Sequence, residues 1–315
     1  MYRRLPILAG GRPCDTVGPM SVTLPGAMTA TTADLPPAVA AALDNAELTA
    51  GIRLTTTAAG IPFSSIAWGD PRDRPLVLIH GVTASSRLWW RTGPALAATR
   101  RHVVAVDLPG HGLTGHWSGR HRFRETASDV AAWIRAAGLD VPELQIVGHS
   151  WGAMTTAALP WAGIRPATLV LLDPPAMPHD VMSRMASDTS ELPHGDLETT
   201  AHTLAAVNPT WFPKDVWAKA EGLIQLDLEA QRAVLIENGD WDGGLADLAD
   251  PAAAGTPTWI IRGDPAAGSL LPDVSIGPIA ELIGPDHVLT LAGAPHSPQR
   301  THPAATTIAL LRALG

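Results

Sequence analysis

The sequence predicts an α/β fold in which a parallel sheet carries helices on both faces, and two patterns predict it. The first is a series of short apolar runs: Leu76-Val77-Leu78-Ile79, Val103-Val104-Ala105-Val106, Leu144-Gln145-Ile146-Val147, Leu169-Val170-Leu171-Leu172, Trp259-Ile260-Ile261 and Val288-Leu289-Thr290-Leu291. Runs of this kind suit strands buried on both faces of a sheet. The second is helical periodicity between them. Ala127, Val130, Ile134 and Ala137 recur at helical spacing within Glu125 to Ala137, and Ile308, Leu311 and Leu314 give a last amphipathic helix. Alternating strand and helix implies a parallel sheet covered on both sides.

Ahead of this region, Ile52 to Thr57 and Pro62 to Trp68 read as strands with a turn at Gly60-Ile61, and Pro36 to Glu47 as a short Ala-rich helix. Residues 1–35 are rich in Gly, Pro and Thr without periodicity and are expected to be a loose, disordered extension. The interval from Leu172 to Trp259 breaks the alternation. It holds Met182, Leu204, Trp211, Trp217, Leu223 and Trp241 without a convincing strand. A structureless loop of that length is uncommon in a compact domain, so a helical insertion is expected to cover one end of the sheet. The expected organisation is a core of residues 36–174 and 251–315 interrupted by a helical lid insertion, 175–250.

Composition narrows the function classes. With 46% hydrophobic and 17% charged residues the chain is globular rather than disordered. A net charge of −8 and no basic stripe argue against a nucleic-acid partner. No apolar run reaches the roughly 18 residues that span a bilayer. Cys14 has no second cysteine to pair with, and Pro6 interrupts the short apolar stretch after Arg3 and Arg4. A signal peptide is therefore a poor reading, as is a lipoprotein site behind Arg12-Pro13, and the expected location is the reducing cytoplasm. Met20 and Met28 are alternative starts.

The strongest chemical signal is Gly148-His149-Ser150-Trp151-Gly152, between the strand ending at Val147 and an Ala-rich stretch, Ala153 to Leu159, that can start a helix. This is the strand–turn–helix setting of a nucleophile elbow. The turn is so tight that side chains at 148 and 152 would meet neighbouring backbone. Ser150 would stand at the end of the sheet beside a helix N-terminus, which favours developing negative charge.

His80-Gly81-Val82 follows the Leu76–Ile79 strand. The N–H groups of Val82 and Trp151 are the expected oxyanion donors, with His80 and His149 as structural neighbours. Gly293-Ala294-Pro295-His296-Ser297-Pro298 places a histidine after the last strand, so His296 is preferred to His302 as the base for Ser150. Asp107 to Gly112 reads as a structural turn. No clustered His or Cys spacing suggests a metal site, and no nucleotide fingerprint is visible. No cofactor is expected.

These pieces, His80-Gly81, Asp107 to Gly112, the Gly148–Gly152 elbow, and His296 followed by Pro303, resemble the α/β-hydrolase superfamily over the chain from Ile52 onward. The resemblance implies a mostly parallel eight-stranded sheet flanked by helices, a lid after the sixth strand, and the chain order serine, acid, histidine. The acid departs from the common pattern. Many relatives place it three residues beyond a glycine after the seventh strand, where this chain has Ala266. Asp173, directly after the sixth strand, is preferred, with Asp264 as the alternative.

The expected activity is hydrolysis of a carboxylic ester or lactone through an acyl-enzyme on Ser150. A small-molecule substrate, apolar or aromatic, is expected from Trp211, Trp217 and Trp241 in the insertion. Carbon–carbon bond hydrolysis is the alternative, and a ligand receptor of hydrolase fold with little turnover is another. Serine at the elbow argues against the dehalogenases and epoxide hydrolases of this fold, which use aspartate there.

Overall fold

The computed structural model describes residues 23–115 and 119–315. Cys14 and Met20 lie outside these residues. Strands β1 (Ile52–Ala58) and β2 (Ile61–Trp68) form a hairpin, and β3 (Arg74–Ile79), β4 (Arg101–Val106), β5 (Gln145–His149) and β6 (Thr168–Leu172) follow. After an insertion that contains β7 (Ala176–Met177) and β8 (Trp241–Asp242), β9 (Thr258–Arg262) and β10 (Val288–Thr290) complete the main sheet. Its eight strands run in the order β1-β2-β4-β3-β5-β6-β9-β10. Only the pairings of β2, with β1 and with β4, are antiparallel.

The apolar runs are continuous because both faces are covered, and alternate residues serve different faces. Val77, Ile79, Val104, Val106 and Ile146 pack on one side against the helices Phe123–Ala136 and Trp151–Ala158, where Trp133 and Ile134 are fully buried. Leu76, Leu78, Val103, Ala105 and Val147 point to the other side, onto the last helix, Pro303–Leu314, with Leu96 of the short helix Thr92–Ala97 beside them. Each such side chain contributes about 1.5–3 kcal/mol on burial.

The chain leaves β3 for the β4 side of the sheet and returns through β5 to build the other half. The loops therefore diverge at the ends of β3 and β5, the place where open α/β sheets form a crevice at their carboxyl ends.

Two observations differ from the sequence expectations. The extension packs well before residue 35. Met28 forms a parallel bridge with Leu291, its N–H donating to Thr290 O at 2.8 Å, and Leu35 is buried against Val39 of the helix Pro37–Asp44. The apolar side chains Leu24, Met28 and Leu35 find core surface there, which a reading of periodicity alone misses.

The insertion is helical for most of its length: His179–Ala186, Leu197–Val207, Pro213–Ile224 and Leu228–Glu237. Its base, however, is a two-stranded antiparallel ribbon, β7 with β8. Two residues per strand are too few to show alternation in sequence.

Candidate active site

The elbow follows from close approach. A Cβ on Gly148 would lie 2.1 Å from Gly152 O, and a Cβ on Gly152 would lie 2.5 Å from the carbonyl oxygens of both Ile79 and His80. Between them Ser150 adopts φ 56°, ψ −123°, in the positive-φ region that non-glycine residues rarely enter. Its N–H donates to Leu172 O at 3.0 Å, so the strained turn is held by β6. Ser150 is 8% exposed, and a Cβ on Gly81 would sit 2.8 Å from its own Cβ.

Three of the predicted side chains meet. Ser150 Oγ donates to His296 Nε2 at 2.9 Å, and His296 Nδ1 donates to Asp173 Oδ2 at 2.6 Å. Asp173 stands at the end of β6 with φ 45° and is fully buried. Gly263 N–H (2.8 Å) and Ser269 Oγ (2.5 Å) donate to its Oδ1, and Leu270 N–H (3.0 Å) donates to Oδ2. Burial opposes its ionisation. The bond from His296, the histidine's charge and the donors from Ser269 and Leu270 outweigh that and hold its carboxyl below the usual carboxylate range.

Asp264, the alternative acid, is elsewhere. Its carboxylate accepts from Ala266 N–H (2.9 Å) and Gly293 N–H (3.0 Å), capping a short 3₁₀ turn at Pro265–Ala267 and stapling it to the loop that carries His296.

The neighbouring histidines are buried and neutral. Leu108 N–H donates to His80 Nε2 at 3.0 Å, so His80 carries its proton on Nδ1 and donates it to Gly81 O at 2.8 Å. That bond holds the Gly81–Val82 peptide. Burial, followed by the nearby His111, pushes His80 down to about 3. His149 Nε2 donates to His296 O at 2.8 Å, while its buried Nδ1 has no partner among the described residues. Burial, then His296, pushes it too down to about 3. Asp107 accepts from Ser86 N–H and Leu113 N–H and pairs with Arg53 at 2.8 Å, an arrangement that holds the turn Asp107 to Gly112.

Ser150 and His296 open into a cavity of about 470 Å³, a size suited to a small molecule. Trp211 and Trp241 line it. Trp241 is buried, edge-on to Phe123 with centroids 4.9 Å apart. Trp217, expected beside them from the sequence, does not line it: it is 41% exposed and borders a separate hollow with Trp68 and Trp90. On the helix Pro213–Ile224, Val216, Lys219, Ala220 and Leu223 face inward, and Trp217 falls on the opposite arc.

Sequence reasoning missed three cavity residues, Lys219, Glu191 and Arg300. The Lys219 ammonium donates to Thr83 Oγ1 at 2.6 Å and pairs closely with Glu191. Nothing in a local window marks them, because each belongs to a different element. Ser269, which grips Asp173, carried only a faint signal as the residue after Gly268 in the loop where the acid was sought.

Among the described residues no group of three or more His, Cys, Asp or Glu is arranged to hold a metal ion, and no helix is long and apolar enough to cross a membrane.

Comparison with known proteins agrees with this architecture. Residues 74–221 match the family model for the α/β hydrolase fold. Epoxide hydrolase B of Mycobacterium tuberculosis is 27% identical over 226 residues, which cover 66% of this chain and 61% of that protein. The dihydrolipoyllysine-residue acetyltransferase component of the acetoin cleaving system of Pseudomonas putida is 38% identical over 104 residues, 33% of this chain and 27% of that one. The matched region thus spans less than two thirds of either relative. The crystal structure of E-2-(acetamidomethylene)succinate hydrolase superimposes with a TM-score of 0.70 at 19% identity, over 84% of this chain and 99% of the other. The chain has the α/β-hydrolase fold, and residues 74–221 carry the match to the model of that family.

Proposed function

We propose that the protein is a serine hydrolase that cleaves a carboxylic ester or lactone, with Ser150 as nucleophile, His296 as general base and Asp173 as the acid that orients it. The observation that carries this reading is the continuous hydrogen-bond path from Ser150 Oγ through His296 to the buried Asp173.

As Ser150 Oγ attacks the substrate carbonyl, its proton passes to His296 Nε2. Asp173 stays ionised and stabilises the imidazolium that results. The oxyanion rests on the N–H groups of Val82 and Trp151, neither of which donates a hydrogen bond within the described residues. His80 supports the first donor by holding the carbonyl of the same peptide, so that the Val82 N–H is aimed away from Gly81 O. Collapse of the intermediate expels the alcohol, which takes its proton from His296. Water, deprotonated by His296, then releases the acid and frees Ser150.

Serine at the elbow separates this chemistry from that of relatives with an aspartate nucleophile. The receptor reading rests on the missing acid at position 266, and the bond from His296 to Asp173 weighs against it.

Intact-mass analysis after fluorophosphonate treatment tests the proposal. One adduct on the wild type and none on Ser150→Ala is the expected result. A folded wild-type protein that takes up no adduct would overturn it.

A further inference from the structure

Arg300 lies on the short helix Pro298–Thr301, four residues beyond His296, and lines the cavity that Ser150 opens into. The residue is 7% exposed. Its guanidinium lies 4.8 Å from the ring centroid of Trp211. Among the described residues, no carboxylate comes within 4.0 Å of it and no hydrogen bond engages its nitrogens. A permanently charged group is thus mostly buried with five donors uncommitted, and since none of its nitrogens is among the fully buried unpartnered atoms they can be reached from the cavity. Burying a cation without a partner is costly, so the arrangement makes sense when a partner arrives with the ligand.

The nearby acids are already occupied. Glu191 is bound to Lys219 and Thr83, and Asp215 accepts from Trp90 Nε1 at 2.8 Å through one oxygen, while its buried Oδ2 meets no hydrogen-bond donor among the described residues and lies beyond 4.0 Å from the guanidinium. Both are felt by Arg300 only at longer range, where they partly offset its burial. Asp188, at the cavity edge, is committed to Ser190 N–H at 2.9 Å. Lys219 is the other cavity cation, and Glu191 neutralises it. One cation without an ion pair therefore remains in a cavity whose lining combines apolar Trp211, Trp241, Met182 and Leu235 with polar Asn208 and Gln231.

We infer that Arg300 is a specificity-determining residue that binds a carboxylate carried by the substrate, so that the preferred substrates are half-esters or lactones bearing one free carboxylate. A planar carboxylate can accept two parallel bonds from the guanidinium, and its single charge matches the single uncommitted cation. A phosphate dianion would bring a second charge for which the cavity holds no free partner. The inference rests on the serine-hydrolase reading for its kinetic consequence but not for its binding consequence, and the two are measured separately.

Binding is measured by calorimetry with monomethyl glutarate, a monoanion, on Ser150→Ala, which does not turn over, and on Ser150→Ala combined with Arg300→Gln. Saturable binding to the first, weakened about 30-fold or more in the second, is expected. No monomethyl glutarate binding to Ser150→Ala, or binding unchanged by the second substitution, overturns the inference, as does tighter binding of inorganic phosphate. Specificity is read as the ratio of kcat/KM for the p-nitrophenyl half-ester of glutarate to that for p-nitrophenyl valerate. The ratio should be well above one in the wild type and fall about 30-fold or more in Arg300→Gln, with partial recovery in Arg300→Lys. Because the ratio is taken within one variant, a general loss of folded enzyme cancels. A ratio near one in the wild type overturns the inference even if fluorophosphonate labels Ser150. Monomethyl glutarate binding without any labelling would retain the anion site and reject the hydrolase reading.

Discussion

The floor and the roof of the cavity are built in different ways. The floor is the sheet edge: Ser150 after β5, Asp173 after β6, and His296 in the loop after β10. Each is fixed within a few residues of a strand buried on both faces. The strained backbone at Ser150 and Asp173 is tied to neighbouring strands by the bonds Ser150 N–H to Leu172 O and Asp173 N–H to Ile261 O. The roof is the part of the insertion between β7 and β8, four helices on a ribbon of two residues per strand, with a small core of its own around Leu204, Val216, Ala220 and Leu223. Its cavity residues are brought together by helix phase and by contacts between elements, not by backbone strain. The proposed reacting atoms thus sit beside strands buried on both faces, while much of the rest of the cavity lining comes from the insertion. Chemistry and selectivity should therefore respond separately to mutation.

The sharpest way to break that comparison is at the floor. Asp173→Asn should lower ester turnover by about 10³–10⁴-fold, because the amide can no longer hold His296 in the required tautomer. Asp264→Asn should stay within about threefold of wild type, since that group touches a loop and not the imidazole. Steady-state kinetics on one activated ester checks both, and the opposite ranking would move the acid to Asp264.

The floor also predicts an acid sensitivity. His80 and His149 are neutral in the folded protein, with pKa values near 3 against the ordinary 6.5. As pH falls, the unfolded chain takes up these protons first. The stability they contribute is complete above pH 6.5 and is lost progressively toward pH 3. Each should cost about 1.4 kcal/mol per pH unit within that window. Urea unfolding at pH 7, 6 and 5 should record the decline, and His149→Asn should make it shallower. An unchanged slope in that variant would mean that His149 is not the group being protonated.

The smallest effect belongs to the outer face of the roof. Trp217→Ala should change stability by less than about 1 kcal/mol, because the ring is already half in water. KM for the same ester should stay within twofold, whereas Trp211→Ala should raise it. A large rise in KM for Trp217→Ala would show that the helix Pro213–Ile224 turns its other face to the substrate.

How far the sequence reached follows the same division. The apolar runs at 76–79, 103–106 and 169–172 announced their strands because a strand covered on both faces must be apolar at every position. The elbow was legible because its glycines are demanded by contacts within one turn of chain and by the strand beside it. The ribbon of β7 and β8 was not legible, since two residues show no period. The acid lay between these cases. Asp173 and Asp264 both follow a strand and precede a proline, and only the packing of β6 beside β9 points one at His296 and the other at Gly293.

Sequence alone therefore determined the parallel sheet and the tight turn at Ser150, because in each the constraint acts between residues near in the chain or on adjacent strands. Tertiary structure decided which aspartate meets His296, which tryptophans face the cavity, and that Lys219 is neutralised while Arg300 is not. Those outcomes depend on distances between elements far apart in sequence and on which arc of a helix is buried, and no local pattern of residue types encodes either.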